Sequence, residues 1–183
     1  MNLANRLTLL RVAMIPVFLV VLYLGFPGSN IVALVVFLLA ALTDYADGQI
    51  ARKRGLVTDL GKFLDPLADK ILTFAAMLWF VETDVMPGWV VLIVILREFA
   101  VTALRLVAST KGVVISAAYL GKIKTVCTVV VLAAMFLALP EWANALGSAI
   151  ILVTTFISRV EYFAKNRSVL SGIKWENYHV RGF

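Results

Sequence analysis

Four aspartates fall within one short stretch of the sequence, in two closely spaced pairs. Asp44 and Asp47 are three residues apart, and Asp65 and Asp69 are four residues apart. On a helix, side chains at these spacings lie on one face. The segment between the pairs is short, so the two helices that carry them are expected to be antiparallel neighbours. Their acidic faces can then converge in one cavity.

Grouped carboxylates repel one another unless cations neutralise them or they take up protons. Ligation by oxygen alone favours Mg²⁺, Mn²⁺ or Ca²⁺, and the sequence has no cluster of histidine or cysteine that would favour zinc. Mg²⁺ in proteins commonly links a few carboxylates to substrate phosphates. The aspartates therefore predict a divalent-metal site for a phosphate-bearing substrate.

The residues around the aspartates suit such a substrate. Gly48, Ala51 and Gly61 are small and leave room for a flat ring or a phosphate chain near the backbone, and Arg52 can contact a phosphate. A structural role is the alternative. The first pair of aspartates could cap a short cytoplasmic loop, while Asp59 and the third aspartate pair with nearby lysines and arginines.

The elements that must position these residues are, by composition, membrane helices. The chain is 62% hydrophobic and 15% charged, with a mean hydropathy of +0.95, whereas a soluble protein has about 45–50% apolar and about 25% charged residues. A helix needs roughly 20 apolar residues to cross a bilayer. Six predicted spans of about this length cover residues 7–26, 30–51, 60–81, 87–108, 121–139 and 142–164. The predicted fold class is therefore an all-α polytopic membrane protein, with one domain over residues 1–165 and a polar tail over 166–183.

Lysine and arginine set the orientation of the spans, because cytoplasmic loops carry an excess of them. None of the 17 falls in the loops after the first, third and fifth spans, whereas Arg52, Lys53 and Arg54 follow the second. Both termini and the polar cavity are therefore predicted to face the cytoplasm, in the cell membrane. The net charge of +6 suits the cytoplasmic leaflet and phosphate-bearing substrates rather than nucleic acid.

The aspartate pattern resembles the signature of the CDP-alcohol phosphatidyltransferase family, D-x-x-D-G-x-x-A-R-x8-G-x3-D-x3-D. All eight fixed positions match, and they are Asp44, Asp47, Gly48, Ala51, Arg52, Gly61, Asp65 and Asp69. The resemblance extends over nearly the whole chain through the six predicted spans. It implies the transfer of a phosphatidyl or similar group from a CDP-linked donor to an alcohol, with release of CMP.

The resemblance also implies roles for individual residues. Asp44, Asp47 and Asp65 would ligate two metal ions, Mg²⁺ or Mn²⁺, and Asp69 would act as general base and as a ligand of the second metal. The residues expected to bind CDP are Asp44, Asp47, Gly48, Ala51, Arg52, Gly61, Asn5 and Thr8. Because the family is commonly dimeric, a homodimer is expected.

Shorter stretches resemble a branch of the family that uses CDP-diacylglycerol as donor and sn-glycerol 3-phosphate as acceptor. They are N-x-x-T-x-x-R at Asn5, Thr8 and Arg11, the sequence LREF at 96–99 and the sequence LGKIKT at 120–125. A phosphorylated acceptor also accounts for Arg97, because an unpaired guanidinium within an apolar span is costly. The residues predicted to bind the acceptor phosphate are Arg105, Lys122, Lys124, Arg97, Arg159 and Arg11.

Several alternatives remain open on the sequence. Arg97 could pair with a carboxylate such as Glu98, which would then orient the arginine, and the lysines could simply follow the positive-inside rule. The acceptor could instead be serine, inositol or its phosphate, or phosphatidylglycerol. Intramembrane aspartates could also form the ion path of a cation transporter, although the Gly, Ala and Arg positions of the signature have no role in that function.

Overall fold

The computed structural model describes the backbone of residues 3–54, 59–110 and 119–165, and the side chains of residue 10 and of residues 12–43, 70–104 and 121–158. Within these ranges the chain forms six α-helices and no strand. Their bounds are α1 Leu3–Leu24, α2 Ser29–Arg54, α3 Asp59–Glu82, α4 Gly88–Thr110, α5 Tyr119–Met135 and α6 Glu141–Lys165. The prediction of six helices in an all-α chain is confirmed.

The predicted bounds differ most from the structure at two helix ends, each by four residues. Helix α1 begins at Leu3 rather than at residue 7, and α5 stops at Met135 rather than at residue 139. The end of α5 has a local cause. Leu137 N donates to the carbonyl oxygen of Ala134 in a tight turn, and Ala138 has a left-handed φ of 52°. Pro140 contributes to this ending, because a proline disfavours helical geometry in the residue before it. Residues 136–139 are apolar, so hydropathy alone could not distinguish the turn from the helix.

A cluster of four phenylalanines joins the first three helices to the turn after α5. Phe18 and Phe37 are fully buried, and each ring centroid lies about 6 Å from that of Phe136, at 5.8 and 6.0 Å. Phe80 packs more closely on Phe136, with centroids 4.6 Å apart. Tilted and edge-on ring pairs at these distances are favourable beyond the area that they bury. The cluster therefore holds α1, α2 and α3 together at the end of the bundle where α1 turns into α2.

Two further contacts bring neighbouring helices close. Tyr23 donates a 2.5 Å hydrogen bond to Glu82 Oε2, which ties the end of α1 to the end of α3. In α6, a Cβ added at Gly147 would lie 2.8 Å from Cγ1 of Val131 and 2.9 Å from Cε of Met135. The missing side chain lets α5 and α6 approach closely, as small residues do between membrane helices.

Among the described residues, one segment is both long and apolar enough to cross a membrane, Glu141–Ser158 of α6. Two shorter apolar segments, Val12–Leu24 and Ser29–Thr43, lie in α1 and α2. The six membrane spans, and the cytoplasmic position of both termini, therefore remain predictions at this point.

Replacing Phe18 by alanine is expected to lower the free energy of unfolding by about 3 kcal/mol or more, because it opens a cavity beside the rings of Phe37 and Phe136. The measurement is denaturant unfolding of the detergent-solubilised protein. Phe156→Ala is the matched control, since Phe156 is 51% exposed on α6. Equal losses from the two variants would contradict the assignment of the aromatic core.

Candidate active site

The predicted metal ligands lie on two helices that contact each other. Asp44 and Asp47 fall in the C-terminal half of α2, and Asp65 and Asp69 fall in the N-terminal half of α3. Only four residues, 55–58, separate the helices. The structure thus confirms that each pair lies on a helix and that the helices are neighbours. The side chains of the four aspartates lie outside the described ones, so their convergence stays a prediction.

The other predicted site residues fall into two groups, those whose side chains the structure describes and those for which it describes the backbone alone. Positions on α1, α2, α3, α4 and α6 are described by their backbone alone, and they are Asn5, Thr8, Arg11, Gly48, Ala51, Arg52, Gly61, Arg105 and Arg159. The structure describes the side chains of Arg97, Lys122 and Lys124. Lys122 is exposed, whereas Lys124 is 8% exposed. Two of the predicted acceptor-binding cations can therefore be followed to their partners.

Those two cations meet at a buried carboxylate, Glu98 of α4. Arg97 donates from Nη1 to Glu98 Oε1, and Lys124 of α5 donates to the same oxygen at 2.5 Å. Lys70 of α3 adds a third cation, with its Nζ 3.6 Å from Glu98 Oε2. Three cations around one carboxylate carry a formal charge of +2. We call these four residues the basic cluster.

Hydroxyl groups on neighbouring helices complete the hydrogen bonding of the basic cluster. Arg97 Nη2 donates to Oγ of Ser158 at 2.7 Å, and Ser158, fully buried on α6, donates in turn to the carbonyl oxygen of Thr155. Lys70 donates to Thr102 Oγ1 at 2.7 Å. Buried charges are tolerated when they are paired and hydrogen-bonded. The cluster thereby connects α3, α4, α5 and α6.

A small pocket adjoins the basic cluster between α3, α4 and α5. Its polar wall consists of Lys70, Glu98, Lys124 and three threonines, and its apolar wall of Phe74, Met77 and Val94. One of these threonines, Thr128, is 5% exposed, and its Oγ1 has no hydrogen-bond partner within the part of the chain that the structure describes. A net positive wall with a spare hydroxyl suits a small anionic group that carries hydroxyls.

The pocket lies close to the predicted general base along the chain. Lys70 follows Asp69 directly in α3, so the basic cluster begins one residue beyond the fourth aspartate. Lys70, Ser158 and Thr128 are functional candidates that the sequence patterns did not indicate. The only sequence signal for Lys70 was its place next to the signature, and small hydroxyl residues in apolar helices are too common to indicate a site.

The pairing of Arg97 with Glu98, one of the alternatives left open by the sequence, is what the structure contains. Arg97 also keeps one buried nitrogen, Nε, without a hydrogen-bond partner among the described residues. A role of Arg97 and Lys124 toward an acceptor phosphate stays a prediction, now with the added condition that both are held by Glu98.

The donor set of the signature suits a hard divalent cation. All four side chains are carboxylates, and oxygen ligands are those that Mg²⁺ and Mn²⁺ prefer. Among the residues whose side chains the structure describes, no three acidic, histidine or cysteine side chains gather into a second metal site. The four aspartates of the signature fit a metal by the chemistry of their oxygen atoms.

Comparison with known proteins identifies the family to which this chain belongs. The family model for CDP-alcohol phosphatidyltransferase matches residues 1–160, and the chain belongs to this family. Proteins of the family are membrane-associated and generally use divalent metal ions.

Similar proteins within the family carry more specific names. The chain is 40% identical to the CDP-diacylglycerol–glycerol-3-phosphate 3-phosphatidyltransferase of Bacillus subtilis, over 92% of this chain and 97% of that protein. It is 37% identical to a probable phosphatidylglycerophosphate synthase of Mycobacterium tuberculosis, over 94% and 85%. A Salmonella typhimurium protein with the same name as that of B. subtilis is 36% identical, over 92% and 97%.

Removing the hydroxyl of Ser158 is expected to destabilise the protein by about 1–3 kcal/mol, because Ser158→Ala leaves a buried guanidinium nitrogen without its acceptor. Ser148→Ala is the matched control on the same helix, since the buried Ser148 hydroxyl bonds only to the carbonyl oxygen of Asn144 one turn earlier. Denaturant unfolding of both variants is the measurement. A loss for Ser158→Ala no larger than that of the control would show that the Arg97 contact contributes little.

Proposed function

We propose that this chain transfers the phosphatidyl group of CDP-diacylglycerol to sn-glycerol 3-phosphate, giving phosphatidylglycerol phosphate and CMP. It is thus a phosphotransferase of phospholipid biosynthesis. The observation that carries the proposal is the complete aspartate signature on the contacting helices α2 and α3. The names of relatives 36–40% identical over nearly their whole length support the choice of donor and acceptor.

The signature residues bind the donor and hold the metal in this proposal. Asp44, Asp47 and Asp65, together with Asp69, hold two ions, Mg²⁺ or Mn²⁺. When bound, two such ions stabilise negative charge on the attacking and leaving oxygens of an in-line displacement. The small residues of the signature, with Asn5 and Thr8 of α1, form the CDP site. Arg52 contacts a phosphate of the donor.

Asp69 acts as the general base. It takes the proton from a hydroxyl of glycerol 3-phosphate, and the hydroxyl oxygen attacks the lipid-side phosphorus of the donor. The bond from this phosphorus to the CMP oxygen breaks, and CMP leaves. A base must lie within hydrogen-bond reach of the hydroxyl. The pocket beside Lys70, the residue after Asp69, supports this arrangement.

The acceptor phosphate binds at the cations in this proposal. Lys124 and Arg97 of the basic cluster contribute, and the remaining predicted residues are Arg105, Lys122, Arg159 and Arg11. The formal charge of +2 on the basic cluster supports an anionic acceptor over serine, inositol or another neutral alcohol.

The enzyme spans the cell membrane in this proposal, with six helices, both termini in the cytoplasm and the site facing the cytoplasm. Large apolar side chains exposed on the outer surfaces of the helices support it, since lipid would cover them. Examples are Val126 and Val130 on α5 and Leu92, Leu96 and Phe99 on α4. The donor then enters sideways from the bilayer. We also propose a homodimer, as the family resemblance implies.

Replacing Asp69 by asparagine is expected to lower the rate of CMP release by about 10²–10⁴-fold, because the acceptor hydroxyl loses its base. CMP release from purified enzyme, with metal, CDP-diacylglycerol and glycerol 3-phosphate supplied, is the measurement. Asp84→Asn is the matched control, because Asp84 lies exposed in the turn after α3 and asparagine tolerates its left-handed φ of 57°. Near-normal turnover of Asp69→Asn would contradict the role of Asp69 as the general base.

The acceptor is tested with a panel at fixed CDP-diacylglycerol. Glycerol 3-phosphate is expected to give the highest kcat/KM, since the basic cluster favours a phosphorylated alcohol. Serine, inositol, inositol phosphate and phosphatidylglycerol are the comparison acceptors, and CMP release is the measurement. A higher kcat/KM for any of these four compounds would identify that compound as the acceptor. The proposed reaction class would be unchanged.

A further inference from the structure

Glu98 is the one carboxylate that contacts Arg97, Lys124 and Lys70 within the described part of the chain. Its Oε1 accepts from both Arg97 and Lys124, and its Oε2 faces Lys70 at 3.6 Å. The Glu98 side chain is 10% exposed, as are those of Arg97 and Lys124, so water contributes little to holding these charges. The positions of the cations are thus tied to one side chain on α4.

The place of Glu98 connects it to the chemistry of the neighbouring helices. It lines the same pocket as Lys70, Lys124 and the unpartnered hydroxyl of Thr128. Lys70 in turn follows the predicted base Asp69. An acceptor phosphate that contacts Lys124 would therefore lie beside Glu98, and its glycerol part could reach toward α3.

A carboxylate in an anion-binding pocket is at first sight unfavourable, because it repels the phosphate. Three cations held together without it would repel one another more strongly, and long lysine and arginine side chains would separate into different rotamers. With Glu98 present, the cations are fixed close together and still carry a formal +2. A phosphate monoester carries nearly two negative charges at neutral pH. Two cations of the cluster, Lys70 and Lys124, line the pocket and offer it the opposite charge.

We propose that Glu98 is a positioning residue that holds Lys124, Arg97 and Lys70 in the arrangement that recognises the phosphate of the acceptor. This inference rests on the proposed function, because it concerns recognition of glycerol 3-phosphate at the same site. It assigns to Glu98 no contact with the reacting atoms. Replacing Glu98 should therefore weaken binding of the acceptor and leave binding of the nucleotide donor unchanged.

The test is Glu98→Gln, which keeps the shape and removes the charge. The KM for glycerol 3-phosphate is expected to rise about tenfold or more, because hydrogen bonds between charged partners weaken when one charge is lost. The KM for CDP-diacylglycerol should stay within about twofold. Glu82→Gln is the matched control, since it removes a hydrogen-bonded carboxylate at the far end of α3 and should leave both values unchanged.

A double-mutant cycle with Lys124→Met separates positioning from general support of the fold. If Glu98 acts through Lys124, the double variant should have about the same KM for glycerol 3-phosphate as Lys124→Met alone. Additive increases in KM, or a Glu98→Gln enzyme with lower stability but an unchanged KM, would overturn the proposal.

Should Glu98→Gln fail to fold, Glu98→Asp decides the question. It keeps the charge, but its side chain is one methylene shorter, which draws the carboxylate back from Arg97 and Lys124. A raised KM for glycerol 3-phosphate supports the proposal, and an unchanged KM or a second failure to fold counts against it. A wild-type protein that releases no CMP with glycerol 3-phosphate would instead refute the proposed function, so the two failures are distinguishable.

Discussion

The buried ion cluster at Glu98 is the interaction on which the arrangement of α3 to α6 depends. Each of these four helices contributes a polar partner: Lys70, Glu98 with Arg97, Lys124, and Ser158. An apolar helix bundle offers little solvent to a buried charge, so each cation needs a polar partner within the protein or bears the full cost of burial. The geometry of that pairing in turn restricts how the helices can pack.

The opposite end of the bundle is held together by apolar packing rather than by ion pairs. There the rings of Phe18, Phe37, Phe80 and Phe136 pack together, and the polar contact is the exposed Tyr23–Glu82 hydrogen bond. Apolar packing favours many similar arrangements, whereas ion pairs demand particular distances. A bundle built in this way has a tightly packed apolar end and a polar end with room for a pocket.

Helix α3 links the two halves of the proposed chemistry. It carries Asp65 and Asp69 of the signature about one turn apart, and Lys70 of the basic cluster follows Asp69 directly. In the proposed function, donor and acceptor therefore both bind along this helix, and the proposed base lies between their residues in the sequence. A direct displacement needs the acceptor hydroxyl close to the donor phosphorus, and a shared rigid helix is a simple way to fix that distance.

Much of the fold and of the reaction class could be predicted from local sequence. Each aspartate pair has helical spacing, the apolar runs have helical length, and the eight-position signature lies within 26 residues, so none of these inferences needs a distant contact. The end of α5 was mispredicted because residues 136–139 are apolar although they form a turn. The turn at Ala138 and the proline at 140 end the helix, and hydropathy reports neither of them.

The partners of the cations were decided by tertiary structure alone. From the sequence, Arg97 had two possible partners, an acceptor phosphate or Glu98, and no pattern indicated a partner for Lys70. The structure joins both to Glu98 and brings in Ser158 from a helix 61 residues away. The sequence by itself determined which residues can do chemistry, because spacing along one helix is local. Which charges face each other was decided only when helices far apart in the chain packed together, because a buried charge selects its partner by distance in space.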